Sequence, residues 1–411
     1  MTPDNPHSER LRVIVAGGGV VALESVLAIA QLAGEQTSMT VIAPDPEFVY
    51  RPMTVREPFA YGQAQRYPLA RIVGDAGAKL VADELSWIDP DARTLHTKAD
   101  QAIEYDVLVL AVGAHICPRY THALTIDDRH MDETLHGLIQ DIEGDYVHSV
   151  AFVSPGRMAW PMPLYELALM TAGRAYDMGI ELSTTIITPE DSPLAIFGST
   201  ASRGVSELLA QANIDTITSA YAEIPSTGEI VIKPGGRRLH VDRVVALPEL
   251  YGPCVRGIPI GEHGFISVNP HGLVHGQRHI YAAGDATDFS IKHGGLGSQQ
   301  ADAVAQSIAA LAGAPVTPEP FHPVIRGMLL TAGKPRYLTA SITGGHGFSS
   351  EITDTPSWSP PSKIAARYLA PYLDELDKEN ATSGTITTSK AGAPDHDDPT
   401  RRQTQPAGSG T

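Results

Sequence analysis

Three short stretches of this chain hold residues whose types and spacing can do chemistry. Val13-Ile-Val-Ala-Gly17-Gly-Gly19-Val-Val-Ala22 reads as a buried strand, a glycine turn and the opening of an apolar helix. Gly17 permits the tight turn, Gly19 lets the backbone approach a pyrophosphate, and Ala22 lets helix and strand pack closely. The unpaired N–H groups and positive dipole end of such a helix favour phosphate. His279-Ile-Tyr-Ala-Ala-Gly284-Asp285 ends an apolar strand at a glycine and then offers a carboxylate. A carboxylate there can accept hydrogen bonds from a polyol such as ribityl, so the two stretches together point to FAD. The third stretch, Lys292-His293-Gly-Gly-Leu-Gly297-Ser-Gln-Gln300, opens a helix. Aimed at the flavin pyrimidine edge, that helix start would stabilise the negative charge of a reduced ring.

The elements that must position these residues follow from periodicity. Leu11–Val15, a helix over Val20–Leu32 and Met39–Ile42 form a βαβ unit. The acidic residue that usually ends the second strand and holds an adenosine ribose is absent. Ala43 and Pro44 stand there, and Asp45 follows slightly late; it is either the substitute or a turn aspartate. Tyr105 to Gly113 is a further buried strand ending at glycine, and Phe48 to Pro58 reads as an ordered loop. A second βαβ-like unit starts at Val150–Val153, with helices near Leu164–Tyr176 and Ser202–Ala212 and a strand at Thr184–Thr188. A long alanine-rich helix covers Leu296–Leu311, strands lie near Gly327–Ser341, and a short amphipathic helix spans Ile364–Leu373. The expected fold is α/β: two Rossmann-like FAD/NAD(P)-binding units, the second inserted in the first, plus a small C-terminal cap. The expected boundaries are 1–147 and 248–320 for the FAD-binding domain and 148–247 for a degenerate NAD(P)-binding-like domain. The cap takes 321–377, and 378–411 is a disordered tail rich in Thr, Ser, Gly, Pro and charge.

The fingerprint, the mid-chain Tyr105-Asp-Val-Leu-Val-Leu-Ala-Val-Gly113 and the late Ala-Gly284-Asp285 occur in the order seen in the two-dinucleotide-binding-domain flavoproteins. The chain resembles them over about residues 10–375, and most of all the branch holding sulfide:quinone oxidoreductases and type II NADH dehydrogenases. The resemblance implies an FAD-dependent oxidoreductase with a small-molecule donor and acceptor, the acceptor a quinone or similar compound. It implies cofactor contacts at Gly17, Gly19, Ala22, Asp45, Gly113, Gly284, Asp285 and Gly297. It also implies that Glu166 and Lys292 pair near the flavin and act as catalytic residues, since each matches a family position there. The alternative for that pair is a structural ion pair between domains. His293 reads either as a proton donor or as a polar surface residue, and Arg56 as an anion contact or a solvated arginine.

The second unit departs from a nicotinamide site. Its turn reads Ser154-Pro-Gly156-Arg-Met-Ala-Trp160-Pro-Met-Pro163, with one glycine and with prolines that lack the N–H groups phosphate needs. Trp160 either fills the vacated groove or lines a substrate pocket. The family's redox cysteines are missing from this turn and from the stretch before Lys292. The two cysteines, Cys117 and Cys254, form no Cys-x-x-Cys pair and read as inert and buried. Three rival readings stay open: a sulfide:quinone oxidoreductase with atypical cysteines, an NAD(P)H dehydrogenase with an unusual nicotinamide site, and a flavin-bound regulatory protein without turnover.

Composition narrows the partners. A net charge of −17 disfavours nucleic acid and leaves no basic membrane patch. No apolar run approaches the roughly 20 residues of a transmembrane helix, and residues 1–10 are too polar for a signal peptide. Two cysteines in 411 residues suit a reducing compartment. The expectation is a cytoplasmic protein, with peripheral contact at the inner membrane surface and association into a homo-oligomer left open.

Overall fold

The computed structural model describes residues 10–157, 160–343 and 347–382. Val13–Ala16 and Val107–Leu110 are buried at every position, as apolar strands covered on both faces must be. They lie at the middle of a five-stranded parallel sheet in the order Ile280–Ala282, Val107–Leu110, Leu11–Ala16, Thr37–Ile42, Lys79–Val81. The strand order reverses between Leu11–Ala16 and Val107–Leu110. Ligands of open α/β sheets bind beyond the carboxyl ends of strands at such a point. Gly17, Ala111 and Gly113 stand there.

A second five-stranded parallel sheet is formed by Leu124–Thr125, Arg243–Ala246, Ser149–Val153, Ser183–Ile187 and Ile214–Ile217, in that order. Its strands fall in the chain between Val107–Leu110 and Ile280–Ala282, so the second Rossmann-like unit interrupts the first. Helices Met162–Asp177 and Gly198–Gln211 belong to it. The cap is an antiparallel sheet of Val324–Leu329, Arg336–Thr343 and Gly347–Thr353. The fold class expected from the sequence is the one observed.

Close packing at the first unit depends on small residues. At Gly284, φ is +74°, and a Cβ would stand 2.5 Å from Val21 Cγ2. A Cβ on Gly297 would stand 2.7 Å from the same atom and 3.1 Å from Gly284 Cα. Both glycines therefore let the fingerprint helix Val20–Ala33, the late strand end and the helix Gly294–Leu311 approach one another. Ala22 is fully buried in the same packing.

The C-terminal helix differs from expectation. It runs Leu369–Thr382 rather than Ile364–Leu373, and so includes 378–382, which composition assigned to a disordered tail. The shift has a cause in the first unit. Glu24, fully buried on the fingerprint helix, accepts the backbone N–H groups of Arg367, Tyr368 and Leu369 at 2.7, 2.9 and 2.6 Å. A carboxylate at those N–H groups fixes a helix start. Residues 363–368 ahead of it form a non-helical strap. Residues 383–411, the rest of the expected tail, lie outside the described residues. The helix also crosses the end, at Tyr372, of the larger of the chain's two compact units.

Candidate functional site

A cavity of about 760 Å³ opens beyond the carboxyl ends of the first sheet. That size is ordinary for a cofactor or ligand site. Its wall includes Gly17, Gly19, Asp45, Gly113 and Asp285 from one part of the sequence reading, and Glu166, Lys292, His293 and Trp160 from the other. Gly284, Gly297 and Ala22 are not on the wall. They hold its elements together, as described above.

The glycine end fits a dinucleotide. Gly17 has φ of +128°, its N–H bonds Ile42 O at 2.9 Å, and a Cβ would collide with Ala111 O. Only glycine suits that turn. Gly19 stands directly before the helix, and a Cβ there would meet no atom within 4 Å. The room it leaves belongs to the cavity. No side chain caps the helix, so its first N–H groups are free for a phosphate. Gly113, with φ of +74°, lines the same space. Asp45 is exposed on the wall beside Glu47, past the end of Thr37–Ile42.

Asp285 is half-buried on the wall, and among the described residues no protein group hydrogen-bonds its carboxylate. Burial pushes it up to about 6, against the pull of Lys292. An unspent acceptor facing the cavity suits a hydroxyl of a polyol chain.

The expected pairing of Glu166 with Lys292 does not form. Lys292 turns back over its own loop, where Nζ donates to Thr287 O and lies 3.9 Å from the centre of the Phe265 ring. Burial draws it down to about 8, opposed by Asp285 and Asp288. Glu166 pairs instead with Lys363 of the strap. Its Oε2 accepts from Lys363 Nζ at 2.7 Å, and its Oε1 from Leu330 N–H at 2.8 Å. Lys363 also donates to Pro52 O at 2.8 Å. The side chains are 0% and 6% exposed. Burial raises Glu166 and lowers Lys363, while their mutual attraction opposes both shifts. The sequence signal for Lys363 was weak but present: Pro360-Pro361 just before it argues against placing it on a helix.

Trp160 lines the cavity and stacks on His293, ring centres 4.2 Å apart. The pocket-lining reading of Trp160 is the one the geometry supports. His293 is buried, not a surface residue, because the tryptophan covers it. Burial and then Lys363 push its imidazole down to about 4. Met328, Met162 and Ile364 complete an apolar end around the ion pair. Arg56 is not on the wall; Arg51 and Arg129 are, and Arg51 lies 3.5 Å from Asp128.

Both cysteines are exposed rather than buried, and unpaired. Cys254 reaches the cavity wall with φ of +49°, because the turn 252–254 bonds back to His263 and Gly264.

In the second unit the described part of the corresponding turn is crowded. A Cβ on Gly156 would stand 3.0 Å from the Tyr221 ring. Glu190, past the end of Ser183–Ile187, is spent on Tyr165 OH at 2.6 Å and Thr188 Oγ1 at 3.2 Å. Met158 and Ala159 of the turn lie outside the described residues.

No family model matches the chain. A sulfide-quinone reductase of Aquifex aeolicus is 26% identical over 261 residues, 59% of this chain and 59% of that protein. An NADH dehydrogenase-like protein of Mycobacterium tuberculosis is 35% identical over 112 residues, 26% of this chain and 27% of that one. The chain thus aligns with under two thirds of each relative's length. Among solved structures, the Aquifex aeolicus sulfide:quinone oxidoreductase superposes with a TM-score of 0.75 at 20% identity, covering 92% of this chain and 93% of that one. The chain has the fold of these oxidoreductases.

Proposed function

We propose that this protein is an FAD-dependent oxidoreductase that passes electrons from a small-molecule donor to a quinone or a similar flat dicarbonyl acceptor. The observation that carries the reading is the single cavity with two unlike ends. One offers a glycine turn, free helix N–H groups and the unpartnered Asp285. The other is an apolar wall around the buried Lys363–Glu166 pair.

Gly17 and Gly19 would hold the pyrophosphate, Asp285 a ribityl hydroxyl and Asp45 the adenosine ribose. The bound cofactor would supply two-electron chemistry. Trp160, Met162 and Met328 exclude water from the acceptor end. Lys363 has three N–H donors and spends two of them on Glu166 and Pro52. The third is free for an acceptor oxygen. A proton given up there is drawn from a site where burial already disfavours the ammonium. Glu166 keeps the lysine in place through its own bond to Leu330 N–H. In this reading Lys363 takes the catalytic place that the sequence assigned to Lys292. Lys292 remains beside Asp285, turned back over its own loop.

NADH is a poor donor on this reading, since Tyr221 crowds Gly156 of the second unit's turn and Glu190 is committed to Tyr165 and Thr188. Cys254 on the cavity wall favours one second reading, a sulfide donor acting through a thiol at a new position. Among the described residues no helix is long and apolar enough to cross a membrane. The sparse cysteines suit the cytoplasm, free or at the inner membrane surface.

The test is anaerobic. The yellow protein is reduced with dithionite and mixed with menadione, and flavin absorbance is followed. Fast, saturable reoxidation is expected, slowed in Lys363→Met. Reoxidation no faster than that of free reduced FAD would sink the acceptor reading. Bleaching of the parent by sulfide, lost in Cys254→Ser, would favour the second reading.

A further inference from the structure

The acceptor end holds one titratable side chain that the reading above leaves without a task. His293 stands directly before the helix Gly294–Leu311 and lines the cavity, 9% exposed. One side of its ring is covered by Trp160. On another, Gly295 leaves the room it needs, since a Cβ there would stand 2.8 Å from His293 Cε1. Its Nδ1 is buried and has no hydrogen-bond partner. Such atoms are uncommon in folded proteins and each calls for a reason. A phenylalanine would stack on Trp160 as well without burying an unsatisfied nitrogen. Packing alone therefore does not account for an imidazole here.

The charged groups around it are accounted for. The strap packs on the loop of His293, where a Cβ on Gly294 would stand 3.0 Å from Ile364 Cδ1, and its Lys363 is bound to Glu166 of the helix Met162–Asp177 and to Pro52. Lys292, the residue before it in the chain, is turned away to Thr287 O and Phe265. Asp285 stands beyond Lys292 on the same wall. Burial keeps the ring neutral, and the ammonium of Lys363 is the charge that adds to that effect. A neutral imidazole has one N–H and one lone pair. It can give a proton from one nitrogen while taking one at the other.

Resting on the acceptor reading, we propose that His293 is the proton-transfer residue that restores the Lys363–Glu166 pair during turnover. Each acceptor carbonyl that becomes a hydroxyl takes one proton, and the acceptor takes two electrons in all, which the donor supplies by way of the bound cofactor. Lys363 gives its proton to an acceptor oxygen and is left as an amine beside Glu166. His293 hands its N–H proton to that amine and takes a solvent proton at its other nitrogen. The pair returns to its starting charge, the ring is left as its other tautomer, and a second passage serves the second oxygen once the ring has regained the first tautomer by exchange with solvent. Loss of the lysine charge also removes the repulsion that hinders proton uptake by the ring, so the two steps are coupled.

Two measurements test this on the FAD-loaded protein. The first follows reoxidation by menadione in the parent and in His293→Ala, with and without added imidazole. The expected result is a slowing of about 10²-fold in the variant, with flavin content retained. Imidazole should restore the rate saturably and in proportion to its neutral form. An unslowed variant, or a slowed one that imidazole does not rescue, overturns the proposal. A parent that menadione does not reoxidise overturns the acceptor reading, and this proposal with it. The second measurement needs no turnover. In the ¹⁵N spectrum of histidine-labelled resting protein, a signal absent from His293→Ala should stay in the neutral range from pH 8 to about pH 5. A His293 signal that is protonated at pH 7 overturns the proposal.

Discussion

The two Rossmann-like units share an architecture and differ at one turn. In the first, Gly19 has open space where a Cβ would be, and the helix behind it starts with free N–H groups. In the second, Gly156 lies under the Tyr221 ring, and the helix behind the turn is entered through Pro161, with a further proline in its first turn. The carboxylate after the second strand differs as well. Asp45 is exposed on the cavity wall, whereas Glu190 is buried and bonded to Tyr165 and Thr188. A parallel sheet with crossing helices is thus not itself a dinucleotide site. What makes one is a few positions where side chain is withheld and backbone polarity is left unspent. The first unit keeps those positions and the second has converted them to packing.

The sharpest way to break this contrast is to fill the first seat as the second is filled. Gly19→Val puts a side chain into the cavity, and its Cβ meets no protein atom within 4 Å. The chain should fold and carry no flavin, read as lost absorbance near 450 nm that added FAD does not restore. Retention of flavin would mean the fingerprint is not the seat.

Next in size is the ion pair at the far end of the cavity. Lys363→Met leaves Glu166 buried and unpaired, at a cost of about 3–5 kcal/mol by denaturant unfolding. Pairing it with Glu166→Leu should recover most of the loss. A single variant as stable as the parent would show that the strap is not anchored there.

A smaller effect concerns pH. His293 is drawn down from 6.5 to about 4 in the folded chain. As pH falls from about 6.5 to about 4, the unfolded chain takes up a proton that the folded one refuses. This residue's share of stability is therefore present above that window and lost within it, up to about 3 kcal/mol. His293→Gln should flatten the acid limb of the Tm–pH curve relative to the parent. An unchanged limb would mean the imidazole is not held neutral.

The smallest expected effect is none. The double variant Cys117→Ser, Cys254→Ser should keep its FAD and its rate of reoxidation by menadione, since both thiols are exposed and unpaired. A lost rate would assign one of them to the chemistry.

What was legible in the sequence was local. The fingerprint glycines, the Gly284-Asp285 strand end and the damaged second turn each lie within about ten residues of chain. Strand period and glycine turns specify such features without knowledge of tertiary packing. What failed depended on chain closure. Glu166 and Lys363 are 197 residues apart, and nothing near Lys292 showed that it would turn back to Thr287 instead. The start of the last helix is set by Glu24, more than 340 residues earlier in the chain. His293 is buried with Trp160 of the other unit over its ring. Gly284 and Gly297 were assigned to the cofactor from their place in the motifs, yet their missing side chains serve the contact with Val21.

The contrast between the two units is tested most directly by counting what the folded protein holds. The protein is equilibrated with excess FAD and NADH, freed of unbound ligand by gel filtration and denatured, and the released dinucleotides are quantified. The account predicts FAD in equal number to the chains and no nicotinamide dinucleotide. Release of NADH alongside FAD would contradict the closed second seat, and absence of FAD would contradict the open first one.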